Sequence, residues 1–187
     1  MDALVPAFIL ALLLLPGDAA AAATARLATR TAHPVAAGIG AALGLAIGCA
    51  LAATAGAMLH PRLTPEAARL MLGLALLATA IGLVFPAKPH KLDGWRLGAF
   101  GTGLVGIGTL SLGGGVHFLV FAIALASFMP VMAATGAAIA AAAVLVTAAM
   151  LGEPAWRKLP GRALRWTPAP ILLTAGAVIG LGALKLV

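Results

Sequence analysis

Charged side chains are scarce in this sequence, at 9% of 187 residues, whereas ordinary soluble domains carry about 25%. Only five residues are acidic, tyrosine is absent, and the single cysteine, Cys49, lies inside an apolar block. One cysteine excludes an internal disulfide framework and a zinc site built from several cysteines. With 63% hydrophobic residues and a mean hydropathy of +1.11, the chain is too apolar for a soluble domain and is predicted to be an integral membrane protein.

The motifs of enzymes and of nucleic-acid-binding proteins are also missing. The sequence has no nucleophile elbow, no phosphate-binding loop with its lysine and no paired carboxylates. A net charge of +7 would suit nucleic acid, but the basic residues lie in or beside short loops between apolar blocks and form no basic stripe with interleaved aromatic residues. We therefore expect no enzymatic activity, no cofactor and no nucleic-acid partner, and we expect the lipid bilayer to surround the chain.

Long uncharged blocks define the membrane spans, each of which needs about 20 apolar residues. The longest block, 97–152, must contain two helices, and Pro130 divides it. The sequence therefore predicts an all-α membrane protein with six spans, at 3–27, 34–58, 66–85, 97–127, 131–151 and 168–186. A signal peptide is the alternative interpretation of the first apolar run. Because no basic residue precedes that run, we expect it to remain as a span.

Basic residues are distributed unequally between the two sides that six alternating spans define. One side receives nine of the twelve: Arg26, Arg30, Lys88, Lys91, Arg96, Arg157, Lys158, Arg162 and Arg165. The positive-inside rule makes that side cytoplasmic, so both termini are predicted to face the periplasm. Trp95, Trp156 and Trp166 lie in or beside these loops, as interfacial aromatic anchors do. The alanine-rich, lysine-poor composition favours a bacterial source, and we expect the bacterial inner membrane as the location.

Residue identities recur when the chain is aligned with itself at a shift of 96 positions. The recurring proline, glycine and arginine pairs include Gly17 with Gly113, Pro34 with Pro130, Gly40 with Gly136, and Arg69 with Arg165. This register predicts two three-span repeats, residues 1–90 and residues 91–187. Because three is an odd number, the second repeat is expected to be inverted relative to the first, as in many secondary transporters.

Helix-breaking residues interrupt the first and fourth spans at matching depths. The first break contains Pro16 and Gly17, and the second contains Gly113, Gly114 and Gly115. Backbone groups freed at such breaks cannot face lipid unpaired. We therefore expect both breaks to face protein or a cavity, near the middle of the membrane.

The second span carries a different glycine pattern. Gly40, Gly44 and Gly48 form two overlapping G-x-x-x-G steps. This spacing allows helix backbones to approach closely, so it predicts packing within the bundle or against a partner chain.

At the two breaks the chain resembles the Gdt family of Golgi and bacterial manganese/calcium–proton exchangers, also catalogued as uncharacterised protein family sixteen. Members of that family have two inverted three-helix halves, each with a Glu-x-Gly-Asp-Lys/Arg-Ser/Thr motif, and the four acids form the cation site. The corresponding segments here are Leu15-Pro16-Gly17-Asp18-Ala19-Ala20 and Ser111-Leu112-Gly113-Gly114-Gly115-Val116. The resemblance covers nearly the whole chain, but one acid of the four is kept.

The resemblance implies a cation site near the membrane midplane. Asp18 is the predicted proton-coupling acid, since an ionisable residue within a span is a functional candidate, and His117 is its predicted partner in proton transfer. The candidate cation ligands are Asp18, Thr109, Ser111 and His117, whose imidazole nitrogen suits Mn²⁺ or softer metals. Purely structural roles, as a hydrogen-bonded acid and a packed histidine, are the alternatives for Asp18 and His117.

Two functions remain open from the sequence. The first is a divergent homologue of the divalent-cation/proton exchangers, with Mn²⁺, Ca²⁺ or H⁺ as transported ions. A hard divalent cation prefers several oxygen ligands with charge from more than one carboxylate, and three family acids are absent here. The second function is therefore a transport-silent scaffold or accessory subunit of a larger membrane complex. A homo-oligomer is compatible with both.

Overall fold

The described residues of the computed structural model are 3–85 and 97–185, and within these ranges the chain is helical and contains no strand. The α-helices are α1 (Leu4–Leu14), α2 (Ala19–Thr29), α3 (Pro34–Leu59), α4 (Pro65–Val84), α5 (Gly98–Gly101), α6 (Gly108–Ser111), α7 (Gly115–Ala126), α8 (Pro130–Trp156), α9 (Gly161–Trp166) and α10 (Pro168–Ala183). Tighter 3₁₀ turns occupy Leu15–Gly17 and His60–Arg62, and a wider π-helical segment occupies Thr102–Ile107.

Four helical stretches are long and apolar enough to cross a membrane, and two bent helix pairs raise the number of candidate spans to six. The four stretches are Pro34–Arg62, Pro65–Val84, Pro130–Trp156 and Gly161–Ala183. The first bent pair, Leu4–Gly17 with Ala19–Thr29, turns by 59°, and the second, Gly98–Ser111 with Gly115–Ala126, turns by 68°. The prediction of an all-α, multi-pass membrane protein is confirmed.

Prolines set the start of the long helices. Pro34, Pro65, Pro130 and Pro168 each occupy the first turn of a helix, where the missing N–H costs no hydrogen bond. Thr64 strengthens one of these starts, because its hydroxyl accepts the N–H of Ala67 at 3.3 Å. The apolar segments that follow these prolines continue as long helices.

Helices α3 and α8 pack against each other at the centre of the bundle, and α4 packs against α10. Helices α1 and α2 contact α8, whereas the segment from α5 to α7 contacts α3. Small residues permit these approaches: a Cβ atom on Gly40 would collide with the carbonyl of Phe100, and one on Gly136 would collide with that of Leu4. Each central helix therefore packs against the bent pair from the other end of the chain.

Polar contacts join neighbouring helices at two places, one near the start of α3 and the other near its end. Near its start, Glu153 Oε1 accepts from Arg26 Nε at 2.9 Å and from Arg157 at 2.7 Å, and Thr29 Oγ accepts the N–H of Glu153 at 2.8 Å. Near its end, His60 Nδ1 lies 2.6 Å from the carbonyl of Leu125. The ends of α2 and α8 thus lie together. The predicted basic loop with Lys88, Lys91, Arg96 and Trp95 lies outside the described residues.

Candidate functional site

The first break places a carboxylate at the start of a helix. After the turn Leu15–Gly17 the backbone becomes extended at Asp18, with φ −79° and ψ 154°, and α2 begins at the next residue. Asp18 Oδ1 accepts the N–H of Ala20 at 3.1 Å. The half-buried side chain therefore satisfies an otherwise unpaired donor and places negative charge at the positive end of the α2 dipole.

The second break repeats this backbone geometry without a side chain. Gly114 is extended, with φ −65° and ψ 160°, and α7 begins at Gly115 with no side-chain cap. The N–H of Gly114 donates to the carbonyl of Ser111 at 2.9 Å, as the N–H of Asp18 donates to Leu15 at 3.0 Å. Gly113 has φ +86°, a left-handed conformation that favours glycine.

The two breaks meet beside a cavity. A Cβ atom built on Gly114 would lie 3.8 Å from Oδ2 of Asp18. The cavity, of about 370 Å³, is lined by Asp18, Gly17, Arg165, Thr79, Gly113, Gly114, Gly115 and apolar side chains of α1, α4 and α7. A second cavity of about 250 Å³ shares Asp18, Gly113 and Gly114 and adds Ser111. Asp18 therefore borders both spaces.

Two polar residues of the larger cavity were not among the predicted ligands. Arg165 reaches the first break, where its Nε donates to the carbonyl of Gly17 at 3.0 Å. Thr79 is buried on α4, and its hydroxyl donates to the carbonyl of Ala75 at 2.7 Å. The sequence predicts Arg165 as a basic residue on the cytoplasmic side and as the repeat partner of Arg69, not as a residue of the site. No sequence signal distinguishes Thr79.

The predicted ligands occupy different environments. Ser111 lines the smaller cavity, and its hydroxyl donates to the carbonyl of Gly108 at 2.9 Å. Thr109 is exposed, donates to Val105 at 2.6 Å, and does not line either cavity. The structure therefore places Ser111, but not Thr109, beside Asp18.

His117 lies outside both cavities, against α3. Its side chain is 6% exposed, and a Cβ atom on Gly48 would collide with its Nε2. The carbonyls of Leu45 and Ser111 lie near the ring. Neither ring nitrogen makes a hydrogen bond with any residue in 3–85 or 97–185, so no hydrogen bond joins His117 to Asp18 in this structure.

The three glycines of the second span pack within the chain. Besides Gly40 and Gly48, Gly44 faces the carbonyl of Leu104. Together they bring α3 against the fourth span along its length, which places the ring of His117 against Gly48.

The site has few groups that ligate metals strongly. Within the described parts of the chain, no group of three or more His, Cys, Asp or Glu residues is arranged to hold a metal ion. A cation in the larger cavity would have Asp18 as its one carboxylate and would otherwise contact hydroxyl and backbone oxygens, the ligand type that hard cations prefer.

Comparison with known proteins finds a family match for the first half of the chain. Residues 3–91 match the family described as divalent cation/proton antiporter GDT1, which confirms the suspected family resemblance for that part of the chain. The match includes the break with Asp18 and the first three predicted spans. No curated protein and no solved structure matches the chain.

Proposed function

With residues 3–91 matching a divalent cation/proton antiporter family, we propose that the chain is a divergent inner-membrane exchanger that couples cation movement to protons at Asp18. The observation that carries this proposal is the position of Asp18. A carboxylate stands at a break within a span, lies close to a second break and lines the cavity beside both. Secondary transporters place their ion sites at such interrupted helices.

Two inverted three-span repeats, residues 1–90 and 91–187, form the proposed architecture. Equivalent contacts separated by 96 residues support it. Gly40 meets Phe100 and Leu104, and Gly136 meets Leu4 and Phe8, each at the same shift. The residues before α3 and α8 also share their backbone angles, φ −125° with ψ 74° at His33 and φ −125° with ψ 70° at Met129.

Competition between a proton and a cation for Asp18 provides the proposed coupling. An ionised Asp18 attracts a cation, and a protonated Asp18 releases it, so the two ligands exchange at one group. Ser111 and Thr79 hydroxyls and the backbone at both breaks are the proposed additional oxygen ligands. One carboxylate leaves excess positive charge when Mn²⁺ or Ca²⁺ binds, so affinity for either ion should be modest.

His117 is the second proposed proton-coupling residue. Carbonyl oxygens only accept hydrogen bonds, and a neutral imidazole has a single N–H, whereas the protonated ring has two. Protonation would give His117 a second N–H donor beside the carbonyls of Leu45 and Ser111, which lie near the ring. Because the Ser111 carbonyl also accepts from Gly114, movement of that carbonyl would alter the second break beside Asp18.

Flux through reconstituted liposomes tests the proposal. Mn²⁺, Ca²⁺ and a monovalent control are added under an imposed pH gradient, and internal pH is followed for wild type, Asp18→Asn and Glu153→Gln. Glu153 is the matched acid because it pairs with arginines away from both cavities. We expect flux in wild type and Glu153→Gln and none in Asp18→Asn. Equal flux in all three proteins would contradict the role of Asp18.

A transport-silent scaffold is the second candidate function, and the role of Asp18 as a helix cap favours it. Leu15, Ser111 and Gly114 stand at the three motif positions where the family has its other acids. Asp18 Oδ1 already accepts a hydrogen bond from the N–H of Ala20. Absence of flux for every ion, with the protein folded and inserted, would support this candidate. Purification from native membranes at fixed stoichiometry with another complex would then identify its role.

A further inference from the structure

We propose that Arg165 is a specificity-determining residue of the cation site, because it holds a fixed positive charge in the cavity of Asp18. This inference depends on the proposed cation site. It goes further by assigning a residue that selects against divalent ions and in favour of ions of lower charge.

Arg165 is held in the cavity by a defined contact. It lies in the last turn of α9, and its Nε donates to the carbonyl of Gly17, the residue before Asp18. Gly17 leaves room for this approach, since a Cβ atom there would lie 3.0 Å from Cγ of Arg165 and 3.4 Å from the carbonyl of Leu164. The arginine is half-buried and is therefore partly withdrawn from solvent screening.

The charges in the cavity balance without a bound ion. Asp18 and Arg165 are the two charged residues among the described residues that line it. The negative charge available to an entering cation is therefore offset by the positive charge of a guanidinium. Arg165 repels a cation in proportion to the cation's charge, so it penalises Mn²⁺ twice as strongly in free energy as Na⁺.

The other half of the chain does not provide an equivalent charge. Arg69, 96 positions before Arg165, is exposed, and among the described residues it makes no hydrogen bond to Gly113. The second half of the chain therefore supplies the positive charge of the site through Arg165, and the first half supplies the negative charge through Asp18. A substitution at Arg165 therefore tests the positive charge of the site without a second arginine from the other half to compensate for it.

Cation binding to the full-length protein in detergent tests the inference. Mn²⁺ alone and Na⁺ alone are titrated into wild type, Arg165→Gln, Arg165→Lys and Arg162→Gln. Arg162 is the control because it is exposed on the same helix and stacks 6.0 Å from Trp166. We expect Arg165→Gln to tighten Mn²⁺ binding about tenfold and Na⁺ binding about threefold, the ratio that the charge difference requires.

The lysine variant separates charge from hydrogen-bond geometry. Arg165→Lys keeps the charge but loses the planar donor, so we expect Mn²⁺ and Na⁺ affinities near those of wild type. A Mn²⁺-to-Na⁺ affinity ratio that is unchanged in Arg165→Gln, or changed equally in Arg165→Lys or Arg162→Gln, would overturn the inference. A melting curve for each variant shows that the folded protein is being compared.

The Asp18→Asn variant distinguishes this inference from the proposed function. If binding is lost in Asp18→Asn but the affinity ratio does not respond to Arg165→Gln, the cation site stands and only the role of Arg165 fails. If no variant binds Mn²⁺ or Na⁺, both the site and the inference fail.

Discussion

Asp18 and Gly114 are 96 residues apart at equivalent helix starts, and Oδ2 of Asp18 lies 3.8 Å from the position that a Cβ atom would take on Gly114. Their backbone angles are close, and both precede the second helix of a bent pair. One carboxylate therefore lies beside two helix N-termini, capping α2 directly and facing the start of α7. The second half contributes backbone there but no charge.

Restoring a carboxylate at the second break should strengthen divalent binding. Gly114→Asp places a good N-cap residue in an extended conformation that aspartate adopts readily. A second carboxylate beside Asp18 would improve the charge match with Mn²⁺, and we expect affinity to rise about tenfold or more. Calorimetric titration checks this, with Gly114→Asn as the uncharged control. Equal Mn²⁺ affinities for the two variants would contradict the proposed position of the site.

Two substitutions at Asp18 separate its capping role from its charge. Asparagine caps helices about as well as aspartate, so Asp18→Asn should retain most of the thermal stability while losing cation binding. Asp18→Ala should lose both, with a stability cost of about 1 kcal/mol for the missing cap. Thermal unfolding in detergent measures the difference. Equal melting temperatures for the two variants would show that the bond to Ala20 contributes little.

Substitutions at Gly48 and His117 should have non-additive effects on the free energy of unfolding, because the two residues are in contact. Gly48→Ala forces a methyl group toward Nε2 of the buried ring, so we expect destabilisation of about 1–3 kcal/mol, the range for overpacked cores. Adding His117→Ala removes the collision and should recover most of that loss. A double-mutant cycle on unfolding free energies gives the coupling. Additive effects would mean that the ring is not packed against α3.

Equivalent glycines in the two halves should respond alike. Gly40→Ala and Gly136→Ala each direct a methyl group at a backbone carbonyl of the other half, so both should lower the melting temperature by similar amounts. Gly82→Ala is the control, because nothing lies within 4 Å of its Cβ position. That substitution should stabilise α4 slightly, by about 0.5–1 kcal/mol. Destabilisation by only one of the first two would weigh against the repeat architecture.

Much of the bundle follows from charge and proline positions. The predicted fifth span, 131–151, agrees with a helix that begins at Pro130 and leaves regular geometry at Gly152, where φ is +69°. Proline and glycine likewise located both bends, because they remove or weaken main-chain hydrogen bonds within a span. Each of these signals is local in the sequence.

The side-chain composition of the site was harder to predict. Arg165 meets Gly17 across 148 positions, and no spacing rule connects residues that a short helix brings together. Thr109 follows the π-helical segment Thr102–Ile107, whose wider turn changes which face of the helix later residues occupy. Aligning the two halves of the sequence pairs equivalent positions, but it does not show which way the side chains at those positions point.

Proton release on cation binding tests the central claim most directly. Mn²⁺ or Ca²⁺ is added to the purified protein in weak buffer at a series of pH values, and the released protons are counted against bound cation. Wild type should release protons as the cation displaces them from Asp18, with less release as pH rises, and Asp18→Asn should neither bind nor release. Cation binding without proton release at any pH, or equal release by Asp18→Asn, would contradict exchange at this carboxylate.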